Sequence, residues 1–252
     1  MLPTPAGVFK APGGPTSQGG RCLSARWGPI CSDVVQARPN LTLAVKRLVR
    51  DVSHRVPELS HVKASRVLVV AGEARRNSRA TIRPAHFGTT RRRASGTGGA
   101  VKPLVRIKGR KILYIITLRP LWFVGSTPEQ RLVTIFHELY HASTRFDGTL
   151  HRGRRHSRLP LGRYNRRVRR LLRRYLGEAS PEVLAPFAHE GEARVRMWLE
   201  GPGSFQDQEY AGRRLYTEQQ LFYGVAVMRV RRLPGGKTHR KARRPAPPTP
   251  SP

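Results

Sequence analysis

Apolar positions along the chain follow two periods, and the changes between them mark the elements. Residues 1–39 show neither period: Gly and Pro recur (Pro3, Pro5, Pro12, Gly13, Gly14, Pro15, Gly19, Gly20), and the segment is expected to be disordered. Asn40 then stands where an N-cap belongs, and Leu41, Leu43, Val45, Leu48 and Val49 give one apolar helical face that ends before Pro57. Arg66 to Ala71 is a β-branched run closed by Gly72, and Arg79 to Arg83 is a weaker one closed by Pro84, so both read as strands. A Thr-, Arg-, Ser- and Gly-rich stretch between Gly88 and Gly99 reads as a flexible loop. Lys111 to Leu118 is the strongest strand, apolar enough to sit inside a sheet.

The period then turns helical. Thr127, Pro128, Glu129 and Gln130 supply a hydroxyl N-cap, a proline at the first helical position, an early acid and the glutamine of a capping box. Leu132, Ile135, Phe136 and Leu139 follow at i, i+3, i+4 and i+7, a stripe that buries one face against a sheet and leaves His137 and His141 on an adjacent face. After Pro160 and Gly162 a second amphipathic helix is expected, with Val168, Leu171, Leu172 and Tyr175 as a narrow apolar seam in an Arg-rich sequence. Ser180 and Pro181 resemble a helix start that Pro186 interrupts, which places the next helix at about Phe187 to Leu199. Leu215 to Val230 reads as a last helix or helix-strand element, and a basic, Pro-rich tail from 234 to 252 is expected to be disordered. The expected division is therefore a disordered segment 1–39, a folded domain 40–178, a helical extension 179–233 and the tail 234–252.

Charge changes the picture. With 48 Lys and Arg against 15 Asp and Glu, the formal charge is +33, a field that attracts nucleic acid first and anionic membranes or acidic proteins second. Counting both ends, eleven arginines lie from Arg152 to Arg174, so a polyanion on that helix would lie beside the helix that carries His137 and His141. No zinc finger or aromatic RNA-binding strand pattern is present, so contact with DNA or RNA there would be backbone-directed and without sequence preference; the alternative is a solvated face. No apolar run of about 18 residues and no secretory signal pattern is found, so no membrane partner is expected and the expected address is cytoplasmic. Cys22 and Cys31 match neither a zinc ribbon nor a CxxC pair and read as free thiols.

The chemistry centres on residues 137–141, His-Glu-Leu-Tyr-His. On a helix of about 3.6 residues per turn the two imidazoles stand one above the other, within reach of one tetrahedral Zn2+. Glu138 can hold a water on that zinc, take its proton as it attacks a carbonyl and pass the proton to the leaving amine. His137 and His141 are thus the expected ligands and Glu138 the catalytic base. A third ligand is required. Asp147 falls at the separation used by metzincins, although Thr144 replaces their turn glycine; Glu178, Glu182 or Glu192 would serve a gluzincin arrangement; His151 and His156 lie in a turn-rich loop before the next helix. The isolated His54, His61, His86, His189 and His239 are assigned no role, and Tyr140 and Tyr164 are either oxyanion donors or packing residues.

Together, His137 to His141, Phe146-Asp147-Gly148, His156-Ser157 and a helix containing Tyr164 resemble metallopeptidases related to SprT and Spartan. The resemblance covers roughly residues 40–178 and makes His156 the third ligand, with Ser157 where glycine is more usual and His151 as the alternative. It implies an α+β, zincin-like domain with a small sheet packed on the HExxH helix, a zinc-dependent hydrolase of peptide bonds in protein or peptide substrates, and substrates associated with DNA. Two other readings stand beside it: a non-enzymatic, basic nucleic-acid-binding protein with a coincidental or structural zinc site, and a zinc hydrolase acting on another bond.

Overall fold

In the computed structural model, residues 38–72, 78–85, 104–199 and 215–229 are described. The expected disorder of the N-terminal segment and of the tail, the 88–99 loop, Cys22, Cys31, His86 and His239 lie outside them. The elements in chain order are helix α1 (Leu41–Arg55), strands β1 (Val67–Ala71), β2 (Ala80–Pro84), β3 (Leu104–Ile107), β4 (Arg110–Lys111) and β5 (Tyr114–Leu118), helices α2 (Pro120–Phe123), α3 (Pro128–Tyr140), α4 (Leu161–Leu176) and α5 (Pro181–Ala188), and strands β6 (Gly191–Trp198), β7 (Leu215–Tyr216) and β8 (Leu221–Met228). The architecture is mixed α+β.

Five strands form the main sheet in the order β2-β5-β1-β6-β8, and β4, β3 and β7 form a small second one. β1 pairs in parallel with β5 and β6, whereas β2 and β8 run antiparallel to their neighbours at the two edges. All five residues of β1 are buried, as a strand covered on both faces requires. On one face Leu68, Val70 and Ile115 meet Val105, Ile107, Ile112 and Tyr216 of the small sheet and its turns. The opposite face receives the helices: α1 contacts β1 and β6, and α3 contacts β2. Thr42 of α1 ties two strands together, its hydroxyl donating to the Val69 carbonyl at 3.3 Å and accepting from the Arg196 N–H at 3.0 Å.

The caps form as their sequences dictate. Asn40 accepts the Leu43 N–H, and the Thr127–Gln130 capping box closes in both directions ahead of Pro128. Leu43, expected on the buried face of α1, is instead 47% exposed, and Ala44 and Val52 complete that face. Arg131 departs from the usual rule for charged residues. It is fully buried on α3 and donates to the carbonyls of Val124 (2.7 Å), Phe187 (2.6 Å) and His189 (3.1 Å), so it fastens the C-terminal end of α5 to α3.

Three expected elements are corrected. The single strand Lys111–Leu118 is divided between the two sheets: Ile112 N–H still bonds Val105 of the small sheet, whereas Leu113 N–H bonds Arg66 and leads into β5. Pro186 does not stop α5, which runs from Pro181 to Ala188 with the proline inside it. The helix expected over Phe187–Leu199 is instead strand β6 from Gly191, because Ala193 and Val195 alternate with Glu192, Arg194 and Arg196 and bury one face. With β7 and β8, the described residues of 179–233 are therefore not a helical extension; β6 and β8 complete the main sheet. Among the described residues, no helix is long and apolar enough to cross a membrane.

Candidate metal centre

α3 supplies the first two imidazoles. His137 and His141 lie one turn apart with ring centroids 5.0 Å from each other. Glu138, one residue on, is rotated toward the sheet and its Oε2 accepts the Ile82 N–H of β2 at 2.8 Å. This N–H points away from β5, with which β2 pairs on its other side, and the carboxyl sits along that side of β2.

The third imidazole arrives because the chain doubles back after α3. Ser143 N–H donates to the Thr149 carbonyl (3.0 Å) and His151 N–H to the His141 carbonyl (2.9 Å). The return turns through Phe146 and Gly148, at φ 49° and 88°. Glycine takes that conformation freely; Phe146 is held in it by burial, its ring centroid 4.9 Å from that of Tyr114. The Tyr114 hydroxyl donates to Thr149 O (2.7 Å) and accepts Gly148 N–H (3.2 Å), which pins the loop to β5. The chain then passes through a single 3-10 turn at Arg152–Arg154 and places His156 against α3.

His156 Nε2 stands 3.2 Å from His137 Nε2 and 3.2 Å from His141 Nε2. Nitrogens around one tetrahedral zinc are separated by about 3.3 Å, so the spacing fits a shared ion. The three ligand atoms lie within 4.8 Å of one another, and the group could hold a metal ion. The other candidates are engaged elsewhere or lie outside the cluster. His151 Nδ1 accepts the Gly153 N–H (3.1 Å), Asp147 accepts the Thr149 N–H (3.0 Å) and hydroxyl (2.7 Å), and Glu192 is ion-paired with Arg38 (2.6 Å). Glu178, beyond the end of α4, and Glu182, in the first turn of α5, are exposed and outside the group.

Burial controls the electrostatics. It holds His137 down at about 4 and His141 at about 3, helped in each case by the neighbouring imidazoles, so both rings are neutral at pH 7 and offer lone pairs. Burial pushes the Glu138 carboxyl up to about 8, against the opposing hydrogen bond from Ile82. A divalent cation beside this carboxyl would favour its charged form.

α4 supplies groups that the motif does not announce. Asn165 Oδ1 is 3.2 Å from His137 Nδ1, which places the ring proton there and leaves Nε2 as a lone pair facing His156. His141 is hydrogen-bonded to the Arg154 backbone. Tyr164 is fully buried, with ring centroids 4.5, 4.7 and 4.9 Å from those of His137, His141 and His156. Its hydroxyl donates to the His137 carbonyl (2.7 Å), so Tyr164 is a packing residue and not a free oxyanion donor. Tyr140 carries Arg154 over its ring at 4.0 Å to the centroid. Asn165 left one trace in the sequence, as the sole uncharged polar side chain other than tyrosine in an otherwise arginine-and-apolar helix. The Ile82 N–H left none, because a backbone donor has no residue signature.

Outward, α4 exposes Arg163, Arg166, Arg167, Arg169, Arg170, Arg173 and Arg174, of which Arg174 is ion-paired, with Glu58. Comparison of the chain with protein-family models, with curated proteins and with solved structures gave no match.

Proposed function

We propose that the chain is a zinc-dependent metallopeptidase of the SprT and Spartan type, with His137, His141 and His156 as ligands and Glu138 as general base. The observation that carries this reading is the convergence of three Nε2 atoms at hydrogen-bond separation beside a buried carboxyl. Three imidazoles fit zinc, and a three-ligand set would leave a position for water or substrate. Zinc held by these residues would lower the pKa of water and polarise a carbonyl oxygen.

The chain's own residues supply the rest. Glu138 accepts a proton from the attacking water and returns it to the leaving nitrogen. Asn165 fixes the His137 tautomer, and Tyr164 keeps the three rings in one cluster. The exposed arginines of α4 begin at Arg163, beside Tyr164, and apart from Arg174 have no acidic partner among the described residues; they would hold DNA or RNA near the centre, which suits substrates associated with nucleic acid.

That arginine face also favours one competing reading, a nucleic-acid-binding protein whose zinc is structural. Metal analysis of the purified chain with wild type, His156→Ala and His151→Ala, followed by proteolysis assays with and without DNA, separates the two. The peptidase reading expects zinc in wild type and His151→Ala, its loss in His156→Ala, and cleavage that Glu138→Gln abolishes. No zinc in wild type after reconstitution overturns it; zinc without any Glu138-dependent cleavage leaves the structural reading.

A further inference from the structure

The edge of the main sheet opposite β2 carries a surface separated from the histidines by β5, β1 and β6. All eight residues of β8 are uncharged, in a chain that is 25% charged. Edge strands are ordinarily blunted by Lys, Pro, a bulge or short length, because their outward N–H and C=O groups template further pairing. β8 has none of these. It pairs with β6 without a break from Gly191↔Met228 to Trp198↔Leu221, and Phe222, Tyr223, Val225 and Val227 are 40%, 37%, 58% and 50% exposed.

The register adds positive charge to this apolar edge. Arg196 lies opposite Tyr223 and Arg194 opposite Val225, so all four side chains share one face. Arg196 Nε donates to the Tyr223 hydroxyl at 3.1 Å, and the guanidinium carbons of Arg194 and Arg196 lie 5.1 and 5.3 Å from its ring centroid. Neither arginine is in an ion pair among the described residues, whereas Glu192, opposite Val227, is neutralised by Arg38. The positive field reaches α1: burial first, then the charges of Arg196 and neighbouring cations, hold the Lys46 ammonium below its usual range.

We propose that β8 binds an extended, acidic segment of a partner protein as an added strand, with apolar side chains on Val225 and Val227 and carboxylates on Arg194 and Arg196. A second copy is disfavoured because each carries a formal charge of +33 and would bring the same arginines to the seam. Nucleic acid is disfavoured because valines and strand backbone give it nothing to pair with beyond two guanidiniums. The surface is independent of the metal reading.

The full chain is titrated, by fluorescence anisotropy, with a labelled peptide of Val-Ser-Glu-Ser repeats, which carries Val and Glu on one face of an extended strand, and with its counterpart in which Lys replaces Glu. Saturable binding of the acidic peptide alone is expected, weakened about tenfold or more in Val225→Asn/Val227→Asn and in Arg194→Glu/Arg196→Glu, the latter gaining the basic peptide. Equal binding of both peptides to wild type, or binding of neither, overturns the proposal. So does a concentration-dependent dimer in sedimentation that Val225→Asn/Val227→Asn dissociates. Amide hydrogen exchange on wild type decides the matter even where a variant fails to fold: the acidic peptide is expected to slow exchange in β8, and binding through the +33 field without that protection overturns the proposal.

Discussion

The inner and outer faces of α4 carry polar groups of two kinds. Inward, Tyr164 and Asn165 each have one partner at a defined distance, the His137 carbonyl at 2.7 Å and its Nδ1 at 3.2 Å. Outward, the exposed arginines of α4 have among the described residues one acidic partner, Glu58. A buried, partnered group acts through one geometry, whereas an exposed array acts through summed charge that salt can screen. Single substitutions on the inner side should therefore be felt strongly, and those on the outer side weakly and in proportion to charge removed.

The sharpest test of that contrast lies on α3, against the inner face. Glu138→Gln keeps the shape of the side chain and removes the base. Its kcat on a peptide substrate is expected to fall by about a hundred- to ten-thousandfold with zinc stoichiometry unchanged; metal loss in parallel with activity would show that Glu138 supports the site instead of the reaction. Next in size is Asn165→Leu, which removes the acceptor from His137 Nδ1. Zinc affinity, measured by competition with a chromogenic chelator, is expected to weaken about ten- to a hundredfold, and Asn165→Asp, which restores an acceptor, should recover most of it. An unchanged affinity in Asn165→Leu would remove Asn165 from the centre.

How far the sequence revealed this site depends on how local each signal was. α3 could be read residue by residue, because its cap, its proline and its apolar stripe all lie within the helix. Placement of His156 needed the return of residues 149–151 along 141–143, held by Tyr114 from another strand, and no periodicity encodes that path. β6 shows the opposite failure. Its Ala, Glu, Arg and Met favour a helix by propensity, but Gly191 at φ 99° breaks the chain from α5, and pairing with β8 determines the outcome. The alternation of Ala193 and Val195 with charged neighbours was visible and was the better signal.

Tyr164→Phe tests the inner face at smaller amplitude. The ring contacts with the three histidines remain, and only the hydrogen bond to the His137 carbonyl is lost. A stability loss of about 1–2 kcal/mol in urea unfolding is expected, with zinc stoichiometry retained. A larger loss accompanied by metal release would mean that the hydroxyl, and not the ring, holds the cluster together.

The weakest effects belong to the outer face, where Arg173 and Arg174 make a matched pair. Both are exposed in the last turns of α4, but Arg174 is ion-paired with Glu58 and Arg173 has no acidic partner among the described residues. If the arginine array meets a nucleic-acid backbone, Arg173→Ala should lower the slope of log affinity against log salt by about 0.7–0.9 for single-stranded or duplex DNA. Arg174→Ala should lower it less, because part of that charge already faces a carboxylate. Folding stability should change by no more than about 0.5 kcal/mol in Arg173→Ala, since nothing in the fold depends on its guanidinium. Equal slopes in the two variants would show that the face responds to net charge alone, while a loss of stability in Arg173→Ala would place that arginine with the inner face, where partners are fixed.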